Sequence, residues 1–297
     1  MMQLAAPHTW PAAILPVLFT TSVAIARGYA ISVTLMAALL IICILMQSAV
    51  NTFNDYYDFV KGTDSVENQD DPTDAVLVYN NINPRSTLIL GISFLVVAFV
   101  LGAYVVWVSS WVTLVIGLVG ALIIVMYSAG KTPISYLPIG EYVSGITMGG
   151  LISLACYFAY TGDLAWEILL LSFPVIAGIG LIMFTNNTCD IEKDREAGRK
   201  TQAVLLGRER ARTAYHGVVI IWVIAIIVLI GVYFTPGLIG VPFMLLILYP
   251  TLSMMFANPL TSETRGPAMG TCLNLNIGLG ISYCLCIFIG GSTTLLW

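Results

Sequence analysis

Two short polar stretches in an otherwise apolar chain carry the residue types needed for chemistry. The first reads NTFNDYYDFVKGTD from Asn51 to Asp64, so Asn51, Asp55 and Asp58 fall at i, i+4 and i+7 and share a stripe if the preceding helix runs on. The second reads NNTCDIEKDREAGRKT from Asn186 to Thr201 and sets Asn186, Asp190 and Asp194 at i, i+4 and i+8, again on one face. Like charges at helical neighbour spacing repel, and carboxylates close to the bilayer are costly unless compensated. A cation shared between the stripes offsets both penalties. The donors are all oxygens of Asp and Asn, without His or Cys. That set selects a hard ion, Mg²⁺ ahead of Ca²⁺ when phosphate supplies the remaining ligands.

Bases follow the acids closely. Lys61 comes after the first stripe, Arg199 and Lys200 after the second, and Lys131 lies in YSAGKTP from Tyr127 to Pro133. Acids that hold Mg²⁺ beside bases that reach an anion describe a diphosphate site. For Lys61 and Lys131 a simple role in anchoring membrane topology stays open. Glu67, Asp70, Asp71, Asp74, Glu209, Arg210 and Arg212 read as solvated loop charges.

The elements that position these residues follow from composition. Of the 297 residues 58% are hydrophobic and 9% charged, with a mean hydropathy of +0.91. A soluble domain carries about 25% charged residues, so a soluble enzyme, a nucleic-acid binder and a disordered scaffold are excluded. About 20 apolar residues cross the hydrocarbon as a helix. Nine such runs can be drawn, at 11–26, 31–53, 88–108, 111–127, 142–160, 168–185, 217–234, 238–257 and 273–297. With nine spans, eleven of the twelve basic residues fall on the side holding the N-terminus and the loops after the even-numbered spans, and Arg27 alone on the other. The positive-inside rule makes the crowded side cytoplasmic. The expected fold is an all-α membrane protein, one domain over residues 1–297, and its first span lacks the basic start of a cleaved signal peptide.

The six cysteines form no CxxC pair and read as buried small hydrophobes. His216, Asn274 and Asn276 read as structural groups near span ends, Gly149, Gly150, Gly278 and Gly280 as sites of close helix packing, and Glu141 stays open between structural and functional roles.

These residues resemble the UbiA superfamily of intramembrane prenyltransferases over nearly the whole chain, most of all the menaquinone-pathway branch. The matching stretches are NDYYDFVKGTD (54–64), GKTPISYLPIGE (130–141) and NNTCDIEKDREAGRKTQAVLLG (186–207). The resemblance implies a nine-helix bundle with a cytoplasm-facing central cavity in a bacterial cell membrane. It implies that Asn51, Asp55, Asp58, Asn186, Asp190 and Asp194 hold two Mg²⁺, with the four aspartates central to catalysis. Lys61, Lys131, Arg199 and Lys200 would bind the diphosphate, and Asn54, Asn187 and Tyr127 would line the pocket. The chain departs from the pattern just before the first span, where it has Pro7-His8-Thr9-Trp10, and at Asp74 and Cys189, all places where basic residues are common.

The expected partners are a polyprenyl diphosphate, an aromatic acceptor and the lipid bilayer, with no nucleic acid. The implied reaction transfers the polyprenyl group to 1,4-dihydroxy-2-naphthoate with loss of CO₂. Metals and cations neutralise the departing pyrophosphate, and an apolar pocket keeps water from the allylic cation. Two alternatives stand beside it. One changes the acceptor to another phenol or a glycerol-phosphate lipid; the other is an ion-coupled secondary transporter using the repeated acids.

Overall fold

Apolar runs that must satisfy their own backbone groups in lipid become helices, and the computed structural model is helical throughout, with no strand among the residues it describes: 3–61, 76–79, 82–128 and 132–291. The main helices are α1 (Trp10–Ala26), α2 (Val33–Lys61), α3 (Pro84–Val108), α4 (Trp111–Ser128), α5 (Gly140–Thr161), α6 (Phe173–Cys189), α7 (Arg208–Tyr233), α8 (Val241–Ala257) and α9 (Arg265–Gly290). Among the described residues seven apolar helices are long enough to cross a membrane, while Trp111–Tyr127 and Phe173–Cys189 are shorter. Each apolar run read from the sequence is therefore met by a helix.

The helix ends differ from the hydropathy runs for a physical reason. Helix α7 starts at Arg208 and α9 at Arg265, eight or nine residues before the runs expected at 217 and 273. Hydropathy marks where lipid begins, whereas the backbone hydrogen-bond ladder continues into the polar interface. Entry into α3 is set by Asn83, whose side chain accepts from the Arg85 amide, with Pro84 in the first turn where its missing N–H is not needed. In α1, Thr20 and Thr21 donate back to the carbonyls of Pro16 and Val17 at 2.6 and 2.8 Å. This hides both hydroxyls inside an apolar helix.

Helices α1 and α5 to α9 share one continuous buried cluster. Its centre is aromatic: Tyr283 stacks on Phe19 at 5.7 Å and donates to the Leu171 carbonyl at 3.0 Å. Helix α5 is not a single regular span, because residues Ile146–Leu151 form a π-helical turn. That turn sits where α5 meets α6 most closely. A Cβ on Gly149 would stand 2.6 Å from the Ile176 amide nitrogen, and one on Gly145 would stand 2.6 Å from the Ile176 carbonyl oxygen. Lipid supplies no hydrophobic drive between helices, so close backbone approach at small residues holds this pair. The expected packing role of Gly149 is thus borne out, and Gly278 and Gly280 likewise abut Leu248 and Leu15. All six cysteines are buried and unpaired as thiols.

Helices α2 and α3 join a second, smaller buried cluster with α1 and α5. Helix α2 packs along α3 and against α1, and α4 touches α2, α3 and α5. The outer faces of α3 and α4 expose Val97, Val100, Val119 and Leu122, and Trp107 and Trp111 stand out at the turn between them. Exposed aliphatics bounded by tryptophan are the pattern of a lipid-facing surface meeting an interface. On the same grounds Arg27 is tied inward, 2.6 Å from Glu167 and donating to the Tyr157 hydroxyl at 2.9 Å.

Candidate active site

Helix α2 runs on to Lys61, so Asn51, Asp55 and Asp58 do share one helical stripe. Asn51 is held by the segment before α1. Its Nδ2 donates to Thr9 Oγ1 at 2.8 Å and to the Ala5 carbonyl at 3.3 Å, and its Oδ1 accepts from Gln47 at 3.4 Å. Beside it Thr52 donates to the Leu4 carbonyl at 3.2 Å and Trp10 Nε1 to Ser48 Oγ at 3.0 Å. The segment 3–9 is thereby strapped across this end of α2. Asp55 is half-buried one turn further on. The side chains of Asp58 and Lys61 lie outside the described set, as does Lys131 entirely.

The second stripe crosses a helix break and survives it. Helix α6 ends at Cys189 and the short helix Ile191–Glu196 follows. Yet the Asp190 amide donates to the Asn186 carbonyl at 3.1 Å and the Asp194 amide to the Asp190 carbonyl at 2.8 Å. The i to i+4 ladder is unbroken at these residues, and the stripe stays in line.

Guanidinium groups meet the second stripe. Arg265, at the start of α9, places Nε 3.0 Å from Asp190 Oδ2, and Nε and Nη2 both donate to Asn186 Oδ1, at 3.0 and 2.8 Å. Arg199 lies 3.5 Å from Asp194 Oδ1 and 4.7 Å above the Tyr136 ring. Thr201 donates to Asp194 Oδ2 at 3.4 Å. Asp194 is only 3% exposed. Burial pushes its carboxyl up to about 6, against the pull of Arg199 and with the charge of Asp190 adding to the rise. Lys200 is exposed, its amide bonded to the Tyr136 carbonyl at 2.8 Å.

Between α2, α3, α4 and α5 lies a cavity of about 530 Å³. Its walls are almost wholly apolar, with Met183 of α6 closing one side, and Gln47, Asn51, Asn54, Tyr127, Ser144 and Thr147 supply polar edges. Three of the residues expected at the site therefore line one space. Tyr127 also lies within electrostatic reach of Glu141 and Arg199, which links the cavity to the second stripe. Asn187 faces elsewhere: it is buried, and its Nδ2 donates to Glu141 Oε1 at 2.8 Å.

Reading the sequence alone missed several contributors. Arg265 entered only as one more base on the crowded side, and Glu141, 4% exposed, is now joined directly to the second motif with its Oε2 unpartnered. A carboxylate at the start of an apolar run was signal enough to leave Glu141 open. Thr9 and Gln47 carried no signal, since isolated polar residues near span ends are common. His216 packs on Phe256 at 4.9 Å between ring centres, in keeping with a structural role.

The donor set fits a Mg²⁺ ion. Among the described residues no three of His, Cys, Asp and Glu stand together as a preformed cluster. Mg²⁺ needs none, because it keeps water and binds through one or two carboxylates plus substrate phosphates. The oxygens of Asn186 and Asp190 already converge on a positive group, the Arg265 guanidinium. This is the electrostatic environment such an ion requires.

Residues 13–269 match the model of the UbiA prenyltransferase family. The chain is 37% identical to 1,4-dihydroxy-2-naphthoate octaprenyltransferase of Bacillus subtilis over 232 residues, 77% of this chain and 73% of that one. Its fold is similar to that of a UbiA homolog from Aeropyrum pernix, with a TM-score of 0.68 and 16% identity, covering 91% of this chain and 96% of the other. It is also similar to a UbiA homolog from Archaeoglobus fulgidus bound to GPP and Mg²⁺, with a TM-score of 0.63 and 17% identity, covering 96% and 99%.

Proposed function

The chain belongs to the UbiA prenyltransferase family, and from that premise we propose that it transfers a polyprenyl group from an allylic diphosphate to 1,4-dihydroxy-2-naphthoate in menaquinone biosynthesis. The observation that carries this reading is the 37% identity to the Bacillus subtilis naphthoate octaprenyltransferase over 232 residues. The apolar cavity edged by Asn51 of the first stripe supports it, because a polyprenyl tail and a charged head need such neighbouring environments. In this reading the protein is a single membrane domain of nine crossings. The base-rich ends of α2, α6 and α9 face the cytoplasm of a bacterial cell.

The residues divide the work. Asn51, Asp55 and Asp58 with Asn186, Asp190 and Asp194 hold Mg²⁺. When bound, the ion supplies charge neutralisation to the departing diphosphate. Arg199, Lys200, Lys61 and Lys131 bind the diphosphate oxygens, and Arg199, already partly ordered over Tyr136, is the best placed of the described ones. Asn54 and Tyr127 line the cavity that takes the substrate, and Asn187 supports the site through Glu141. The cavity walls exclude water while the allylic carbon–oxygen bond breaks and the ring carbon attacks, the acceptor carboxylate leaving as CO₂. No side-chain nucleophile is needed.

Membranes containing the protein, a labelled polyprenyl diphosphate and 1,4-dihydroxy-2-naphthoate test the proposal. The expected result is Mg²⁺-dependent pyrophosphate release with a prenylated naphthoquinol. Turnover only with another phenol or a glycerol-phosphate lipid in an acceptor panel would replace the naphthoate assignment while leaving the donor chemistry in place. Activity surviving both Asp55→Ala and Asp190→Ala would sink the metal assignment.

A further inference from the structure

The oxygens that the second stripe would offer to a metal are engaged by a group of this chain. Arg265 contacts Asp190 Oδ2 at 3.0 Å and donates twice to Asn186 Oδ1, at 3.0 and 2.8 Å. A guanidinium and a metal ion are both cations, and here they require the same carboxylate and the same amide oxygen. Two cations drawn to one carboxylate and one amide oxygen repel, so each loosens the other's hold. The fork of a guanidinium also matches phosphate oxygens as well as it matches carboxylates.

The backbone that carries Arg265 is fixed independently of this contact. Thr264 Oγ1 donates to Asn258 Oδ1 at 3.0 Å, and Thr261 and Thr264 close a reciprocal capping box one residue before Arg265. Leu260 is fully buried at φ 57°, an uncommon conformation for a side-chain-bearing residue. Arg208 donates to the Leu260 carbonyl, and to the Thr188 carbonyl on α6 at 3.2 Å. The two ends are thus clamped by Arg208, while the Arg265 side chain remains 24% exposed.

We infer that Arg265 is the resident counter-ion of the second stripe, which metal and diphosphate displace together: it neutralises Asp190 and holds the Asn186 oxygen before substrate arrives and transfers to the diphosphate when the metal takes those oxygens. The inference rests on the metal and diphosphate reading of this site. Its consequence is thermodynamic coupling. Metal alone competes with the guanidinium for these oxygens, whereas metal with diphosphate also gives that guanidinium a new anion. Each ligand therefore tightens the other by the same factor.

The test is titration of Mn²⁺, read by electron paramagnetic resonance, into the purified full chain with and without inorganic pyrophosphate. In the unaltered protein, pyrophosphate should tighten Mn²⁺ binding by about 5-fold or more. In Arg265→Gln, Mn²⁺ should bind more tightly without pyrophosphate, by about 5-fold, and the gain from pyrophosphate should shrink. Arg265→Lys keeps the charge without the fork and should fall between, and it decides the matter on the same criterion if the Gln variant does not fold. Unchanged or weaker Mn²⁺ binding in these variants, with coupling intact in the unaltered protein, overturns the displacement. Absence of Mn²⁺ binding to the unaltered protein under both conditions overturns the metal reading itself, and the inference with it.

Discussion

Asn51 and Asn186 each head a stripe of Asn and Asp residues, but Asn51 is held by Thr9, Gln47 and the Ala5 carbonyl, whereas Asn186 is held by the Arg265 guanidinium. Asn51 donates outward and is locked to the segment before α1. Asn186 accepts, and its oxygen already points at a positive charge. The asparagine that heads each stripe thus meets neutral partners in one case and a guanidinium in the other. A neutral clamp positions its stripe mechanically and leaves its charge balance alone. A cationic clamp ties positioning to charge, so ligand binding there must rearrange it.

The largest effect should come from the acids themselves. Asp190→Ala removes a proposed metal ligand and leaves Arg265 without its carboxylate, and Asp55→Ala removes its counterpart. Each should cut prenyl transfer by about 100-fold or more, measured as product formed at saturating donor. If only one of the two mattered, the stripes would not be functional equivalents.

Next come changes that disturb the frame around the second stripe. Gly149→Val would drive a side chain into the Ile176 backbone and should lower stability by about 1–3 kcal/mol, seen as a lower melting temperature in detergent. Glu141→Leu strands the buried Asn187 amide and should lower stability by about 1–3 kcal/mol. Glu141→Gln keeps an acceptor for Asn187 and should recover most of that loss. Equal effects of Leu and Gln would show that the bond to Asn187 is not what Glu141 contributes.

The smallest effect falls on the neutral clamp. Thr9→Val removes one hydrogen bond to Asn51 and should lower stability by about 0.5–1.5 kcal/mol, leaving the Mg²⁺ concentration needed for half-maximal activity unchanged. Arg265→Gln, by contrast, should shift that Mg²⁺ dependence. A shift with Thr9→Val would erase the distinction between the two clamps.

Much of this was legible before any coordinates. The helices stand where the apolar runs stood, and the helix of the second run does continue through Asp55 to Lys61. The i, i+4 spacing of Asn186, Asp190 and Asp194 holds even across the end of α6, because one interrupted turn does not change which residues neighbour each other. What was not legible was pairing at long range. Arg265 is 79 residues from Asn186 and Glu141 is 46 from Asn187, and no local pattern connects them. The π turn of α5, which lies against Ile176, was equally hidden, since hydropathy does not report a local change of helical period.

By itself the sequence determined the solvent, the helices and the two stripes. Those depend on hydropathy and on helical spacing, which are local properties of the chain. Only the tertiary structure decided which charges compensate the stripes. It did so because a buried carboxylate takes whichever cation the packing of distant helices brings within about 3 Å, and that distance is set by the bundle and not by neighbours in the chain.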